Sequence, residues 1–538
     1  MAFALKACGR IRLYSSLQNL IRFSSQTASN RKGLVLGVYT NKNEDGVELT
    51  LAAECYNKIT RGKLLEQIKL AGNKVKPGKA FLFWGLDNEF QSVAVVGLGK
   101  KDVNEPIELL CHEKEAVRVA ASAGCRALDA AGIKQIKVED FCDPESSAEG
   151  SVLGTWKFQE YKSKKEPFPE VQLYQGDETS WQKGAAKAEA QNLARRLADT
   201  PSNLLTPTIF ADEAHKILTP LGITVQVYDK KWAEDQKMYS FLSVAKGSAH
   251  GEPPKFLEIT YNKSGSVSPF VLVGKGVTFD TGGISIKPSA SMDEMRADMG
   301  GAATVLSTVF GLAKLNLNAN VKVLIPLTEN MPSGTATKPG DVVTARNGKS
   351  ICVDNTDAEG RLILADALCY SADLKPKWVI DVATLTGAMR IALGNACTGM
   401  NKRVFSNSDY LYDTLQSAGS KTGDRVWRMP LWKHYSKQIC EHPSCDMNNI
   451  SKKGGGGSCT AAAFLREFVP EKTDWMHLDI AGVMGPADPA PYLSGKYFFI
   501  VWIKKSRAIG NLHVIWKIIF IYSLYCFIQH QALENYGY

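Results

Sequence analysis

The sequence predicts an α/β protein in more than one domain, and three observations carry that expectation. Short β-branched or apolar runs alternate with longer segments whose apolar residues recur at helical spacing, from residue 34 onward. Some runs, such as Val323-Leu324-Ile325, are apolar at successive positions, as strands covered on both faces must be. The chain has 538 residues, enough for two to four domains at roughly 150 residues each.

The first acidic residue is Glu44, and before it lie Lys6, Arg10, Arg12, Arg22, Arg31 and Lys32, interleaved with serines. Leu13, Leu17, Leu20 and Ile21 recur at helical spacing among them. A basic, Ser-rich, acid-free amphipathic start predicts a mitochondrial presequence over residues 1–32, and so a matrix location. Read instead as a solvated basic tail, it leaves the chain cytoplasmic. Residues 33–180 are read as an N-terminal α/β domain. Strands are expected at Leu34–Tyr39 and Ser92–Gly97, the second ending in a Gly-Leu-Gly turn, and a helix at Glu113–Ala131 stopped by Gly132. Lys162–Lys165 with Pro167 and Pro169 is a charged, Pro-broken stretch expected near a boundary. A polar, Ala-rich helix at Trp181–Leu197 makes residues 181–200 a connector.

The βα rhythm becomes denser in residues 201–495. Strands are expected at Phe270–Gly274, Val321–Leu327, Ile351–Asp354 and Trp378–Ala383, and helices at Gly301–Leu315 and Leu362–Ala372. The glycine run Gly454–Gly457 opens a helix at Thr460–Phe468. Residues 496–538 are an atypical apolar tail that does not fit the main fold. Its run Val514–Ile528 is 15 residues long and carries Lys517, short of the ~20 a membrane helix needs, so no membrane partner is expected.

Composition narrows the function. Hydrophobic residues make up 44% and charged residues 22%, which excludes a disordered chain, a collagen and a disulfide-rich scaffold. The net charge of +9 is too small over this length to argue for a nucleic-acid partner. The 12 cysteines form no C-x-x-C pair, consistent with buried thiols in a reducing compartment. There is no P-loop, no G-x-S-x-G and no H-E-x-x-H, and Gly97-Leu98-Gly99 is only half a dinucleotide fingerprint. Any metal must therefore be held mostly by oxygen.

Oxygen ligands do cluster. Lys275-Gly-Val-Thr-Phe-Asp280-Thr-Gly-Gly-Ile-Ser285-Ile-Lys287, Met295-Arg-Ala-Asp298 and Asn355-Thr-Asp357-Ala-Glu359-Gly-Arg361 each follow an expected strand. Open α/β sheets place ligands at such strand ends. Asp280, Asp298, Asp357 and Glu359 are thus expected to converge from three loops on one crevice. Four carboxylates together repel unless cations neutralise them. Two divalent ions bridged by shared carboxylates answer that charge, ionise a water at neutral pH and polarise a carbonyl. Lys287 suits oxyanion stabilisation, and Lys275 becomes a ligand only if its amine is forced neutral. Arg361 keeps its proton and is cast as an anion holder. Each piece has a plainer alternative: Asp357, Glu359 and Asp298 as helix caps, the lysines as surface residues, Gly282-Gly283 as an ordinary turn. Cys459, at a helix start after glycines, is a weaker nucleophile candidate.

The three segments resemble the leucine aminopeptidase family (cytosol aminopeptidase, peptidase family M17), with Asn355-Thr-Asp-Ala-Glu-Gly-Arg361 the most specific match. The likeness continues through Asp381–Ala388, Ser458–Phe464 and His477–Gly482. It implies a macro-like N-terminal α/β domain and a C-terminal dizinc aminopeptidase domain with a mixed central sheet. It also implies one zinc on Lys275, Asp280, Asp298 and Glu359 and another on Asp280, Asp357 and Glu359, with manganese or magnesium as alternatives at an exchangeable site. Lys287 and Arg361 take the catalytic positions, Arg361 holding a bicarbonate. Substrate-binding positions are Lys275, Asp280, Ser285, Lys287, Met295, Asp298, Asp357, Thr384, Leu385, Gly387, Ala481 and Met484. The implied reaction is attack of a metal-bound hydroxide on the first peptide carbonyl of substrates with a free N-terminus, leucine and other apolar residues preferred, by a homo-hexamer. The alternative is a catalytically silent structural or DNA-binding member of the same fold, which has no physical need to keep all seven metal and catalytic positions.

Overall fold

The structure, a computed structural model, describes residues 31–484 apart from 42, 45, 104, 266 and 394–401. The expected presequence, except Arg31 and Lys32, and the whole of the 496–538 tail lie outside the described residues. The chain divides into two compact units. One comprises residues up to 103 together with 116–185, the other 104–115 together with 186 onward.

The first unit is built on a sheet of β1 (Lys32–Thr40), β2 (Val47–Leu49), β3 (Ala80–Trp84), β4 (Ser92–Gly99), β5 (Gln135–Val138) and β6 (Glu170–Leu173), in the order β3-β4-β1-β5-β6 with β2 on β1. β4, β1, β5 and β6 run parallel. Alternate residues of β1 face opposite ways: Val35 packs with Val117, Ala121 and Val138, whereas Leu34 and Leu36 pack with Tyr56, Leu64 and Phe90. The Gly-Leu-Gly expected to turn is instead the end of β4, and Gly97 pairs with Pro77. The Pro-broken 162–169 stretch lies inside this unit, because the division falls after Ala185, within the helix Glu178–Asp199.

The second unit carries a mixed sheet. Its strands are β7 (Thr224–Tyr228), β8 (Lys255–Asn262), β9 (Phe270–Gly274), β10 (Gly276–Asp280), β11 (Asn320–Asn330), β14 (Trp378–Ala383), β15 (Lys402–Ser406), β16 (Val426–Arg428) and β18 (Asp474–Asp479). The order is β16-β15-β18-β14-β9-β11-β8-β7, with β10 on β11. A small separate sheet joins β12 (Asp341–Thr344), β13 (Ser350–Val353) and β17 (Met447–Asn448). β9 is apolar throughout because both its faces are covered. Phe270 and Leu272 pack with Leu306 and Met476 on one side, Val271 and Val273 with Leu364 and Trp475 on the other.

Three parallel neighbours, β9, β14 and β18, end in step: Gly274 lies opposite Val382, and Ala383 opposite Asp479. The loops leaving them therefore emerge side by side. Two expectations need correction. Lys275–Asp280 is not a loop, since Gly276–Asp280 forms a strand paired to β11. The strand before Asn355 belongs to the small sheet, not the central one.

One buried acid in the first unit gives a pH test. Glu139 follows β5, is 1% exposed, and accepts a hydrogen bond from the Thr50 hydroxyl at 2.9 Å. Burial pushes its carboxyl up to about 8. The folded state then holds a proton that the unfolded chain has released, so stability falls as pH rises between the unfolded value and about 8. Hydrogen exchange of β1 in the full chain is expected to show less protection at about pH 8 than at about pH 5 once intrinsic rates are corrected, and Glu139→Gln is expected to flatten the difference.

Candidate active site

Lys275 sits between β9 and β10, where its backbone N–H donates to Val382 O at 3.0 Å. That bond directs the side chain into the crevice past the strand ends. Lys275 is 2% exposed and its Nζ reaches Asp298 at 2.7 Å, Glu359 at 2.8 Å and the carbonyl of Thr384 at 2.8 Å. All three ammonium protons are thereby used. Gly360 makes this possible: a Cβ there would lie 2.5 Å from Lys275 Cε.

Asp280 ends β10 directly opposite Asn330 in the ladder with β11. Neighbours in register share a face, so the Asn330 amide donates to Asp280 Oδ1 at 2.7 Å and to Thr356 O at 3.1 Å. The chain then turns through Gly282 and Gly283, at φ +88° and +67°, a left-handed pair that few other residues adopt. The turn returns Lys287 to the crevice, where Nζ bridges Asp280 at 2.7 Å and Asp357. The Lys287 side chain is 20% exposed, so this ammonium can be approached from solvent. Ser285 and Thr356 tie the two loops together, each backbone N–H donating to the other's hydroxyl, at 2.8 and 3.2 Å.

Three carboxylates, Asp280, Asp357 and Glu359, present oxygens within 4.8 Å of one another. Asp298 joins them through Lys275. Two overlapping clusters result, one around Lys275 and one around Lys287. The helix-cap alternative fails, because neither Gly300–Lys314 nor Gly360–Ser371 has a side-chain cap at its N-terminus. The surface-lysine alternative fails because the ammonium groups of Lys275 and Lys287 are both engaged by carboxylates.

The electrostatics are those of a crowded acidic site. Burial raises the Asp298 carboxyl well above the usual range, and the charges of Glu359 and Asp280 add to this while Lys275 opposes it. Burial likewise raises Asp280, with Glu359 adding and the lysines opposing. Asp357 is raised by burial and by Asp280. Burial alone would lower both lysines, but the carboxylates around them outweigh it and hold both above their ordinary values. Four carboxylates against two ammoniums leave a formal −2. Glu359 Oε2 is buried and has no hydrogen-bond partner among the described residues. An all-oxygen donor set with surplus negative charge and an unsatisfied carboxylate oxygen fits divalent cations.

Arg361 is 6% exposed; one guanidinium N–H donates to Asn449 O at 2.7 Å, and its Nε has no hydrogen-bond partner among the described residues. Burial pushes it down to about 10, so it remains a cation at neutral pH. Of the expected substrate-binding positions not already placed, Thr384 touches the cluster, its hydroxyl donating to Asp298 Oδ1 at 2.7 Å. Met295, Leu385 and Ala481 are half-buried and Gly387 is exposed. Met484 closes the turn Ala481–Met484, and its side chain lies outside the described residues. Cys459 is 4% exposed among Phe405 and Ala462, a packing role.

Sequence reasoning missed the supporting residues. Asn330 and Asn449 carry much of the loop geometry: Asn449 accepts from the Asp354 N–H at 2.9 Å and donates to Asn355 O at 2.6 Å. The only signal was a polar end to an otherwise apolar strand at Thr328-Glu-Asn330, and an Asn pair before a glycine run.

Comparison with known proteins gives the family. Residues 192–496 match the cytosol aminopeptidase family catalytic domain, and residues 35–165 match that family's N-terminal domain. The human protein named cytosol aminopeptidase is 51% identical over 482 residues, covering 88% of this chain and 92% of its own. A Dictyostelium discoideum protein of the same name is 42% identical, covering 88% and 91%. Among solved structures, the bottromycin maturation enzyme BotP in complex with Mn superposes with a TM-score of 0.76 at 29% identity, covering 94% of this chain and 100% of that one. A mutant of tomato leucine aminopeptidase gives 0.74 at 27% identity, covering 93% and 94%. The chain belongs to the cytosol aminopeptidase family, M17, and is a metallo-aminopeptidase.

Proposed function

We propose that this aminopeptidase removes leucine and other apolar residues from the N-termini of peptides, using two divalent cations held by Lys275, Asp280, Asp298, Asp357 and Glu359. The observation that carries the reading is the buried surplus of carboxylate over ammonium in one crevice, with Glu359 shared between its two halves. Zinc is the expected metal, with manganese or magnesium at an exchangeable position; the manganese in the BotP complex supports a divalent cation. Bound there, such ions would polarise the scissile carbonyl and supply a water that ionises near neutral pH.

The chain's own groups do the rest. Lys287, exposed enough to meet substrate and held by Asp280 and Asp357, offers a fixed positive charge where the carbonyl oxygen becomes negative. Arg361 keeps its proton at neutral pH, so it cannot be the base. Its Nε, without a hydrogen-bond partner among the described residues, suits a bicarbonate, which would supply a group able to relay a proton to the leaving amine. Holding a cation through Lys275 requires its Nζ to lose a proton, so cation binding is coupled to pH. Met295, Thr384, Leu385, Gly387, Ala481 and Met484 form the side-chain pocket, and the substrate's free amine confines cleavage to the first bond. The same reading has the chain act as a homo-hexamer in the mitochondrial matrix; sedimentation and import assays of the full chain test these two parts.

Lys287→Ala is expected to lower kcat on leucyl amides by about 10²–10³ with metal content unchanged. Glu359→Ala is expected to abolish turnover and to reduce bound metal, read by elemental analysis, while the fold persists because the change removes one of several repelling charges. Chelation is expected to end activity and added zinc or manganese to restore it. A folded, metal-indifferent protein defeats the proposal and favours a silent structural member of the fold.

A further inference from the structure

We propose that Asp479, buried beneath the pocket, is the positioning residue that sets which N-terminal side chain is accepted; this rests on the pocket assignment above. Asp479 ends β18, level with Ala383 at the end of β14. β14 then gives way to the irregular segment Thr384–Thr386 and β18 to the 3-10 turn Ala481–Met484, and both contribute positions to the proposed pocket. Their backbone N–H groups have left the sheet ladder and need other acceptors.

Asp479 supplies them. It is 1% exposed, and its Oδ1 accepts from the N–H groups of Leu385 at 3.2 Å, Thr386 at 3.4 Å and Ala481 at 3.1 Å. Its Oδ2 accepts from the Thr386 hydroxyl at 2.5 Å. That hydroxyl has one proton, and the carboxylate takes it. The 2.8 Å contact between Thr386 and Ser458 must therefore have Ser458 donating. A directed chain runs from Ser458 through Thr386 to Asp479, joining the helix Gly457–Arg466 to both pocket segments.

The metal side of the same segment is held separately. Thr384 is fixed by Asp298 and Lys275, whereas Leu385 and Thr386 are fixed by Asp479. Loss of the Asp479 anchor should thus change the pocket wall without releasing the cluster, and appear in side-chain selection.

The test uses the full, metal-loaded chain with leucyl and alanyl p-nitroanilides. Asp479→Ala and the isosteric Thr386→Val are expected to lower the leucine-over-alanine ratio of kcat/KM by about 10-fold or more, chiefly through KM for leucine, with bound metal unchanged. Asp479→Asn is expected to restore the ratio to within about 3-fold of the unmodified chain. Its remaining oxygen still accepts from the three amides, and its NH₂ reverses the hydroxyl chain. An equal fall for both substrates, an unchanged ratio or a loss of metal in Thr386→Val overturns the inference, and Thr386→Val decides it if Asp479→Ala does not fold. If the unmodified metal-loaded chain cleaves neither substrate, the pocket reading fails and carries the inference with it; if it cleaves both and the ratio is indifferent to Thr386→Val, the inference alone fails.

Discussion

The second unit is organised around one unfavourable interaction, the mutual repulsion of Asp280, Asp298, Asp357 and Glu359 in a crevice where three of the four are almost fully buried. Left alone, such a group would protonate or drive the loops apart. It is held by two lysines threaded between the carboxylates and by neutral crosslinks placed where the loops would otherwise separate. Asn330 pins Asp280 to Thr356, Ser285 and Thr356 bind two loops to each other, and Asn449 grips the backbone at Asp354 and Asn355 before Thr356 and at Ala358 after it. These amides and hydroxyls add no charge, so they fix geometry without spending the negative potential that makes the crevice attractive to cations.

The sheet determines where this can happen. β9, β14 and β18 are parallel and end level, so three connections leave at one edge and their backbone N–H groups and side chains face a common space. β10 extends the construction sideways by pairing with β11, which brings Asp280 and Asn330 into register. Asp357 and Glu359 arrive from a different source, the small sheet of β12, β13 and β17, and their loop is locked to the first by hydrogen bonds rather than by strand pairing. Two separately built surfaces thus meet at the cluster.

How much of this was readable in the sequence follows from which interactions are local. The strand Phe270–Gly274 announced itself by an unbroken apolar run, because burial on both faces leaves no polar position, and Trp378–Ala383 did so despite one acid, Asp381, which is buried against Trp475 and His477. The long helices did so by periodicity and by glycine stops. The charged site residues were visible because Gly-flanked Asp, Glu and Lys just past apolar runs have few structural uses. Gly276–Asp280 was read as loop, since its polar and glycine content resembles a turn and its pairing to β11, some fifty residues away, has no local trace. Asn330, Asn449 and Asp479 escaped for the same reason: their partners are far away in sequence, and an isolated Asn or Asp has many ordinary roles.

On the proposed pocket assignment, the three-residue segment Thr384–Thr386 keeps chemistry and recognition apart over a short distance. Its first residue is bound to Lys275 and Asp298, and so shares the stiffness of the charged cluster. Its last is bound to Asp479 and Ser458, which touch none of the four crevice carboxylates in the hydrogen bonds described. A side-chain pocket distinguishes neighbours by only about 1–3 kcal/mol per methylene, a margin that small displacements of a wall can erase. A wall anchored solely through the metal cluster would move whenever cations bound or a lysine lost its proton. The second anchor decouples it: the carboxylate of Asp479 is satisfied by fixed amides and a hydroxyl chain, so the wall's position depends on the sheet ends rather than on the charge state of the crevice.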